Sequence, residues 1–119
     1  MNHFESKEDY LERILILSSE LEKVRAIDIA NSFSYSKPSV SIALKKLKDA
    51  NLILIDEKGA ITLTLSGKEI ASKTLEKHET IKNFLLSIGV SKKQALIDAC
   101  KIEHDLSEES FNAIKKITK

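Results

Sequence analysis

The sequence predicts a polar turn followed by a basic helix at Ser34-Tyr-Ser-Lys-Pro-Ser-Val-Ser-Ile-Ala-Leu-Lys-Lys-Leu-Lys48. Ser36 or Lys37 is in position to cap this helix, and Pro38 falls in its first turn, where the lack of an amide hydrogen costs nothing. We expect the helix to end at about Ala50. The apolar residues recur at i, i+3, i+4 and i+7, which predicts one buried face made of Val40, Ala43, Leu44 and Leu47.

The segments on either side of this helix predict two more helices and a hairpin. Residues 6–21 have apolar positions three and four apart, with Ser6 as the cap, and residues 25–33 form a short segment expected to bury Ile27, Ile29, Ala30 and Phe33. Downstream, the runs 52–55 and 60–64 flank a four-residue turn. The order helix, helix, turn, helix, hairpin is typical of a winged helix-turn-helix, whose third helix lies in the DNA major groove.

The remainder of the chain predicts helices only. A capping box at Ser66 and Glu69 opens a long helix that ends at Gly89, a second box begins at Ser91, and Ser107 opens the last helix. The fold class is therefore mainly α, with a winged helix-turn-helix followed by an α-helical region. The apolar residues left for contact with a second copy are Ile81, Phe84, Leu85, Phe111 and Ile114.

The composition excludes several classes of protein. With 119 residues, 42% apolar and 31% charged, the chain is too short for a large multidomain enzyme and too apolar for a disordered chain. Its single cysteine, Cys100, excludes a disulfide-stabilised secreted scaffold and fits the reducing cytoplasm. No apolar run approaches the roughly 20 residues that cross a bilayer, so we expect no membrane partner.

Positive charge is concentrated around the third helix, although the net charge is only +1. Residues 36–48 contain four lysines and no acid, whereas acids outnumber bases in residues 1–35. A strip of this kind can neutralise phosphates, and the candidate phosphate contacts are Ser39, Ser41, Lys45 and Lys46. The alternative interpretation is an ordinary solvated helix face in a winged-helix domain that serves as a protein interaction module.

Metal-binding side chains occur near the end of the chain. Cys100, Glu103 and His104 stand at i, i+3 and i+4 in a segment of helical pattern, which places a thiol, a carboxylate and an imidazole on one face. The alternative is structural, because cysteine is often a small buried hydrophobic residue and a Glu-His pair is often solvated.

Two earlier groups of residues strengthen the metal hypothesis. Asp9 and Glu12 are three residues apart on the first helix, and His78 lies midway along the long helix. The resulting mixture of carboxylates, imidazoles and a thiol suits octahedral Mn(II) or Fe(II), with Co(II) and Zn(II) also possible, whereas a closed structural zinc site needs paired Cys and His spacings that are absent. A metalloenzyme is not favoured, since no nucleophile with its base and no phosphate-binding glycine loop accompanies these residues.

The chain also resembles the DtxR/MntR family of metal-dependent transcriptional repressors over essentially its whole length. The most specific motif is Asp98-Ala-Cys-Lys-Ile-Glu-His-Asp-Leu-Ser107. The other motifs are Glu8-Asp-Tyr-Leu-Glu12, Ser36-Lys-Pro-Ser-Val-Ser41, Leu63-Thr-Leu-Ser-Gly-Lys68, Lys77-His-Glu79 and Phe84-Leu-Leu-Ser-Ile-Gly89.

The resemblance implies a non-enzymatic, cytoplasmic homodimer that binds palindromic double-stranded operators when loaded with Mn(II) or Fe(II) and represses genes of metal homeostasis. It implies a winged helix-turn-helix DNA-binding domain at 1–72 and a helical metal-binding and dimerisation domain at 73–119. Longer relatives carry an SH3-like domain at the C-terminus, so we expect a short form. The open alternative is a metal-independent winged-helix regulator or interaction module.

The resemblance also assigns residues to sites. Cys100 matches a ligand of the iron branch, so the metal site is a hybrid of two branches. The ligands that match the manganese branch are Asp9, Glu12, His78, Glu103 and His104. The residues implied to contact DNA are Ser36, Pro38 and Ile42 at base edges, and Lys37, Ser39, Ser41, Lys45 and Lys46 beside them.

Overall fold

A computed structural model describes residues 7–118 of the chain. The chain divides into two compact units, Met1–Ser72 and Lys73–Lys119, and the boundary between them falls within a long helix. The expected mainly helical fold with an N-terminal winged helix-turn-helix is confirmed. The elements are α1 (Lys7–Glu20), α2 (Ala26–Phe33), α3 (Lys37–Asp49), β1 (Ile53–Ile55), β2 (Ile61–Leu63), α4 (Leu65–Ser87), α5 (Lys92–Ile102) and α6 (Glu108–Ile117).

The core of the first unit is assembled from one apolar face of each short element. Leu11 and Ile14 of α1, Ile29 of α2 and Val40 of α3 are fully buried, and Ile53 of β1 joins them. Burial of each such side chain contributes about 1.5–3 kcal/mol to folding. Ile27 is an exception to the predicted pattern: it is 43% exposed, because two residues along a helix correspond to about 200° of rotation, so Ile27 does not share the face of Ile29.

The turn between α2 and α3 is built as the sequence predicts. Ser34 ends α2 in the left-handed conformation, with φ 62°, and the Tyr35 amide donates to the Ala30 carbonyl at 3.1 Å. Ser36 then caps α3 by accepting a hydrogen bond from the Ser39 amide, and Pro38 follows in the first turn. Of the two predicted caps, the hydroxyl of Ser36 is therefore the one used.

Aromatic rings hold α1 against this turn. Tyr10 packs edge-on to Phe33 at 5.4 Å between ring centroids, and Phe33 stacks on Tyr35 at 4.6 Å. The Arg13 guanidinium lies 5.2 Å from the centre of the Phe33 ring, within the range of a cation–π contact. The start of the third helix is thus positioned by α1 as well as by its own cap.

The hairpin is antiparallel, with Ile53 opposite Leu63 and Ile55 opposite Ile61. Its connection is closed by Asp56, whose carboxylate accepts hydrogen bonds from the Lys58 and Ala60 amides. The hydrogen bond from Ala60 is the main reason that the pKa of Asp56 lies below its usual value. The Ile61 amide also donates to the Val24 carbonyl at 2.8 Å, which attaches the hairpin to the segment before α2.

The capping box predicted at Ser66 is wrong, because α4 begins earlier. Its first residue is Leu65, and the Thr64 hydroxyl accepts the hydrogen bond from the Gly67 amide at 3.1 Å. The same hydroxyl donates to the Asn51 carbonyl at 2.8 Å. Since Thr64 bonds both to α4 and to the residue before the hairpin, it is the better cap, and Ser66 lies inside the helix. The Ser6 cap predicted for α1 lies outside the described residues.

The second unit contains the rest of α4 with α5 and α6. Ser91 and Ser107 cap α5 and α6 as predicted, each accepting a hydrogen bond from the amide three residues ahead. Ala95 and Ala99 of α5 and Phe111 of α6 are buried. Among residues 7–118, no helix is long and apolar enough to cross a membrane.

Candidate metal centre and nucleic-acid interface

Two residues distant in sequence meet in the second unit. His78 lies on α4, and Glu103 is the first residue after α5, where its amide still donates to the Ala99 carbonyl. Nδ1 of His78 lies 2.8 Å from Oε1 of Glu103. The Glu103 side chain is only 1% exposed and that of His78 is 13% exposed, so the contact is formed away from bulk water.

The helix of Cys100 is expected to end at about Glu103 or His104, and it ends slightly earlier, although Glu103 keeps helical backbone angles. The last helical residue of α5 is Ile102, and its carbonyl accepts from the Asp105 amide at 2.9 Å, which tightens the chain into a turn. Ser107 has the extended backbone of a cap residue for α6, so one continuous helix cannot run from α5 into α6. Glu103 and His104 therefore lie at the end of α5 and in the turn after it.

The turn nevertheless keeps all the predicted donors of this segment together. Cys100 Sγ lies 3.9 Å from His78 Nδ1, on the last turn of α5. His104 Nε2 lies 3.3 Å from Oε2 of Glu103. Of the expected ligands, the structure thus brings together His78, Cys100, Glu103 and His104, with Glu103 between the two imidazoles.

The neighbours of His78 in this cluster favour its protonated form. The pKa of His78 is raised to about 10, first by its hydrogen bond to Cys100 and then by its hydrogen bond to Glu103, while burial opposes the rise. A buried carboxylate needs a compensating charge, and the protonated imidazole of His78 supplies one. In this state the cluster contains a proton where a cation could lie.

The donor atoms fit a divalent transition metal. They are two imidazole nitrogens, one sulfur and one carboxylate, a set found around Fe(II), Co(II), Zn(II) and Mn(II). Oε2 of Glu103 is buried, and although His104 Nε2 lies 3.3 Å from it, no residue within 7–118 forms a hydrogen bond of suitable geometry with this oxygen. A buried carboxylate oxygen without a donor is costly, and a bound cation satisfies it.

Asp9 and Glu12 belong to α1 in the first unit. They are one helical turn apart, so their side chains share a face of α1, and both residues are partly buried. Their presence in the first turns of the helix is also favourable for the helix dipole. Sequence spacing predicts these two residues as ligands, as it does Cys100, Glu103 and His104, whereas His78 is predicted from its place on the long helix.

The expected DNA-contact residues lie on α3 and at its start. Lys37, Pro38, Ser41, Ile42, Lys45 and Lys46 are all exposed, and Ser39 is partly buried. Ser36 uses its hydroxyl twice, as the acceptor for the Ser39 amide and as the donor to Ser39 Oγ at 3.0 Å. Lys45 forms an exposed ion pair with Asp49 at 3.5 Å, which contributes little and is easily exchanged for a phosphate.

A groove between α3 and the hairpin is lined in part by a lysine, Lys48, that is not among the predicted DNA contacts. It measures about 370 Å³, and Ser41, Lys45 and Lys48 line its α3 side, with Gly59 on the hairpin side. Lys48 belongs to the acid-free run 36–48, so its charge was the available signal. Its position beside the hairpin became evident only from the packing of α3.

Comparison with known protein families assigns one domain to each half of the chain. Residues 3–61 match the N-terminal DNA binding domain of the iron dependent repressors, and residues 64–119 match their metal binding and dimerisation domain. The chain belongs to the iron dependent repressor family. This confirms the resemblance to the DtxR/MntR repressors.

Individual members of this repressor family support the assignment over nearly the whole chain. The transcriptional regulator MntR of Escherichia coli O6:H1 is 36% identical over 111 residues, which are 93% of this chain and 72% of that relative. The solved structure of the manganese regulator SloR has a TM-score of 0.84 at 34% identity, covering 94% of this chain. A manganese-dependent transcriptional repressor in complex with manganese has a TM-score of 0.86 at 26% identity, covering 95% of this chain.

The family is one of metal-dependent, DNA-binding transcriptional repressors that act in metal homeostasis. Its members are regulators and not enzymes, which confirms that expectation. This chain spans 53% of the SloR chain and 52% of the manganese-bound repressor chain, so about half the length of each.

Proposed function

We propose that this chain is a transcriptional repressor activated by Mn(II) or Fe(II), with Co(II) and Zn(II) as possible substitutes. The observation that carries the proposal is the cluster around the buried carboxylate of Glu103: two imidazoles lie beside it, and the exposed Cys100 thiol lies 3.9 Å from one of them. A bound divalent cation supplies the positive charge that the Glu103 carboxylate needs away from water, and it also stabilises the sulfur of Cys100 as a thiolate ligand.

The residues of the second unit have separate tasks in this proposal. Glu103 offers the oxygen that has no hydrogen bond among residues 7–118, and His104 offers the imidazole beside it. His78 gives up the proton that it holds in the hydrogen bond to Glu103, and Cys100 loses its thiol proton when the sulfur becomes a ligand. Metal binding is thus an exchange of cation for protons.

Asp9 and Glu12 complete the proposed ligand set. Their support is chemical: two carboxylates on one face of α1 are suitable ligands for Mn(II), and the complete set of six donors satisfies octahedral coordination. α1 packs in the core of the first unit, where Leu11 and Ile14 are fully buried. A ligand on α1 therefore couples cation binding to the unit that contains α3.

The proposed consequence is control of DNA affinity. Without a cation, the carboxylates of the proposed ligand set repel one another, and this opposes a single arrangement of the two units. Ligands drawn from both units favour one arrangement, so the cation raises the population of the DNA-competent state.

The proposed DNA target is a palindromic operator, bound by a homodimer in the cytoplasm. A symmetric dimer reads two half-sites when its α3 helices are about 34 Å apart along the DNA. The family match assigns dimerisation to residues 64–119. Of the residues expected to contact the second copy, Ile81 and Phe111 are buried within the chain, and Phe84, Leu85 and Ile114 are partly buried and remain candidates. Further candidates are the exposed apolar residues Leu86, Ile88, Leu96 and Ile97.

A binding measurement tests the proposal. A duplex is first selected from a random library by the protein in Mn(II), and its affinity is then compared by fluorescence anisotropy in Mn(II) and in EDTA. We expect tighter binding in Mn(II), and loss of that difference in Glu103→Gln but not in the matched surface variant Glu109→Gln. Equal affinity in chelator and in saturating metal would instead support a metal-independent regulator.

A further inference from the structure

An isoleucine stands at the centre of the exposed face of α3. Val40, Leu44 and Leu47 form the buried side of this helix, and Ile42 projects from the opposite side, at 100° per residue. It is 59% exposed. An isoleucine gains nothing from exposure and is a weaker helix former than the lysines around it.

The side chains around Ile42 make this face a DNA-facing surface rather than an apolar patch. Lys45 and Lys46 follow it by three and four residues, and both are exposed. Phosphates attract these lysines, which positions the helix on the duplex without selecting a sequence. The side chain between the lysines is then the one closest to the base edges.

Ile42 has no polar atom to donate or accept, so its only base-specific partner in the major groove is a methyl group. Thymine carries one at C5, and the other unmodified bases do not. The β-branched side chain is restricted to nearly one χ1 rotamer in a helix, so it loses little entropy on contact. Polar readout near the start of α3 is reduced as well, because Ser36 and Ser39 bond to each other.

We propose that Ile42 is a specificity-determining residue that selects a thymine at one position of each half-site by contact with its C5 methyl group. This proposal rests on the proposed DNA-binding function and adds the chemistry of the base selected. It commits to an apolar contact, so it predicts discrimination between thymine and uracil, which have identical hydrogen-bonding edges.

The test uses the duplex selected from a random library by the protein in Mn(II), with each thymine replaced in turn by deoxyuridine. At one position per half-site we expect about fourfold weaker binding for each methyl removed, which corresponds to about 0.8 kcal/mol. For Ile42→Ala, the same replacement has no effect. The control is Ile27→Ala, which removes an exposed isoleucine from α2 and should retain the wild-type response.

The possible outcomes separate this inference from the proposed function. Metal-dependent binding that is indifferent to every deoxyuridine overturns the role of Ile42 and leaves the repressor proposal intact. An equal deoxyuridine effect in wild type and Ile42→Ala also overturns it, because the methyl is then read by another residue. Absence of metal-dependent binding to any selected duplex overturns both.

Discussion

His78 and Glu103 are 25 positions apart in the chain, yet Nδ1 of the first lies 2.8 Å from Oε1 of the second. The hydrogen bond joins α4 to the turn that follows α5. The Glu103 side chain in this pair is only 1% exposed. Without a cation, the proton on His78 balances the charge of Glu103. A cation bound to Glu103 takes the place of that proton.

Replacing Glu103 with glutamine should remove most of the stabilisation by metal. A ligand specific to the folded state adds about 2.7 kcal/mol at 100 times its Kd, and a 100-fold loss of affinity lowers this gain to about 0.4 kcal/mol. Thermal unfolding with and without Mn(II) measures the difference within each variant. Glu109→Gln, an exposed change on α6, should behave as wild type. A full metal-induced shift in Glu103→Gln would exclude Glu103 as a ligand.

Replacing Cys100 with glutamate should move metal preference toward Mn(II). A thiolate favours softer ions such as Fe(II), Co(II) and Zn(II), whereas a carboxylate favours harder Mn(II). Cys100 is exposed, so the longer side chain can be accommodated without repacking the core. Anaerobic competition between Mn(II) and Co(II) is the measurement. An unchanged preference would show that the thiol does not govern the choice of metal.

Metal binding near neutral pH should release the proton of His78. The pKa of His78 is raised from 6.5 to about 10, so the metal-free imidazole is protonated at pH 7. Calorimetry in buffers of different ionisation enthalpy counts the protons, and His78→Ala should release about one fewer than wild type. The same count in both proteins would contradict the assignment of His78.

The raised pKa of His78 also sets a pH dependence for the metal-free protein. The stability that comes from the charged His78–Glu103 pair is fully present below pH 6.5 and is lost as pH rises through about 10. Chemical unfolding in EDTA between pH 6 and pH 10 should show this loss in wild type, and a smaller loss in His78→Ala. Identical pH profiles would rule out this contribution.

Neutralising Lys45 should weaken binding to all duplexes and reduce its salt dependence. Each phosphate contact contributes about 0.9 to the slope of log K against log salt, so two contacts per dimer contribute about 1.8. Lys45→Gln should lower the slope by that amount, whereas Lys93→Gln on α5 should leave it unchanged. If both variants keep the wild-type slope, Lys45 contacts no phosphate.

Gly67→Ala should destabilise the junction between the hairpin and α4. A Cβ atom at Gly67 would lie 2.0 Å from the Leu52 carbonyl oxygen, which is backbone and cannot move aside. We expect a loss of about 3 kcal/mol in the free energy of unfolding, at the upper end for overpacking. Ser66→Ala, one residue earlier on an exposed position, is the control. A loss no greater than that of Ser66→Ala would contradict the close packing of Gly67.

Local sequence signals predicted most of the fold. The cap at Ser36 and the apolar spacing of α3 depend only on neighbouring residues, and both appear in the structure as predicted. The start of α4 was mispredicted because Ser66 and Thr64 are both competent caps. Thr64 is chosen through its hydrogen bond to Asn51, which lies 13 residues away along the chain.

Sequence spacing was sufficient to name most of the candidate metal ligands, since cysteine, histidine and carboxylate side chains are the chemistry that a cation needs and all of them except His78 recur one turn apart. Spacing could not show that α5 stops at Ile102, or that a turn after the helix still directs Glu103 to His78. Burial of Glu103 and the raised pKa of His78 arise from long-range packing, because desolvation and charge pairing depend on which groups meet in space.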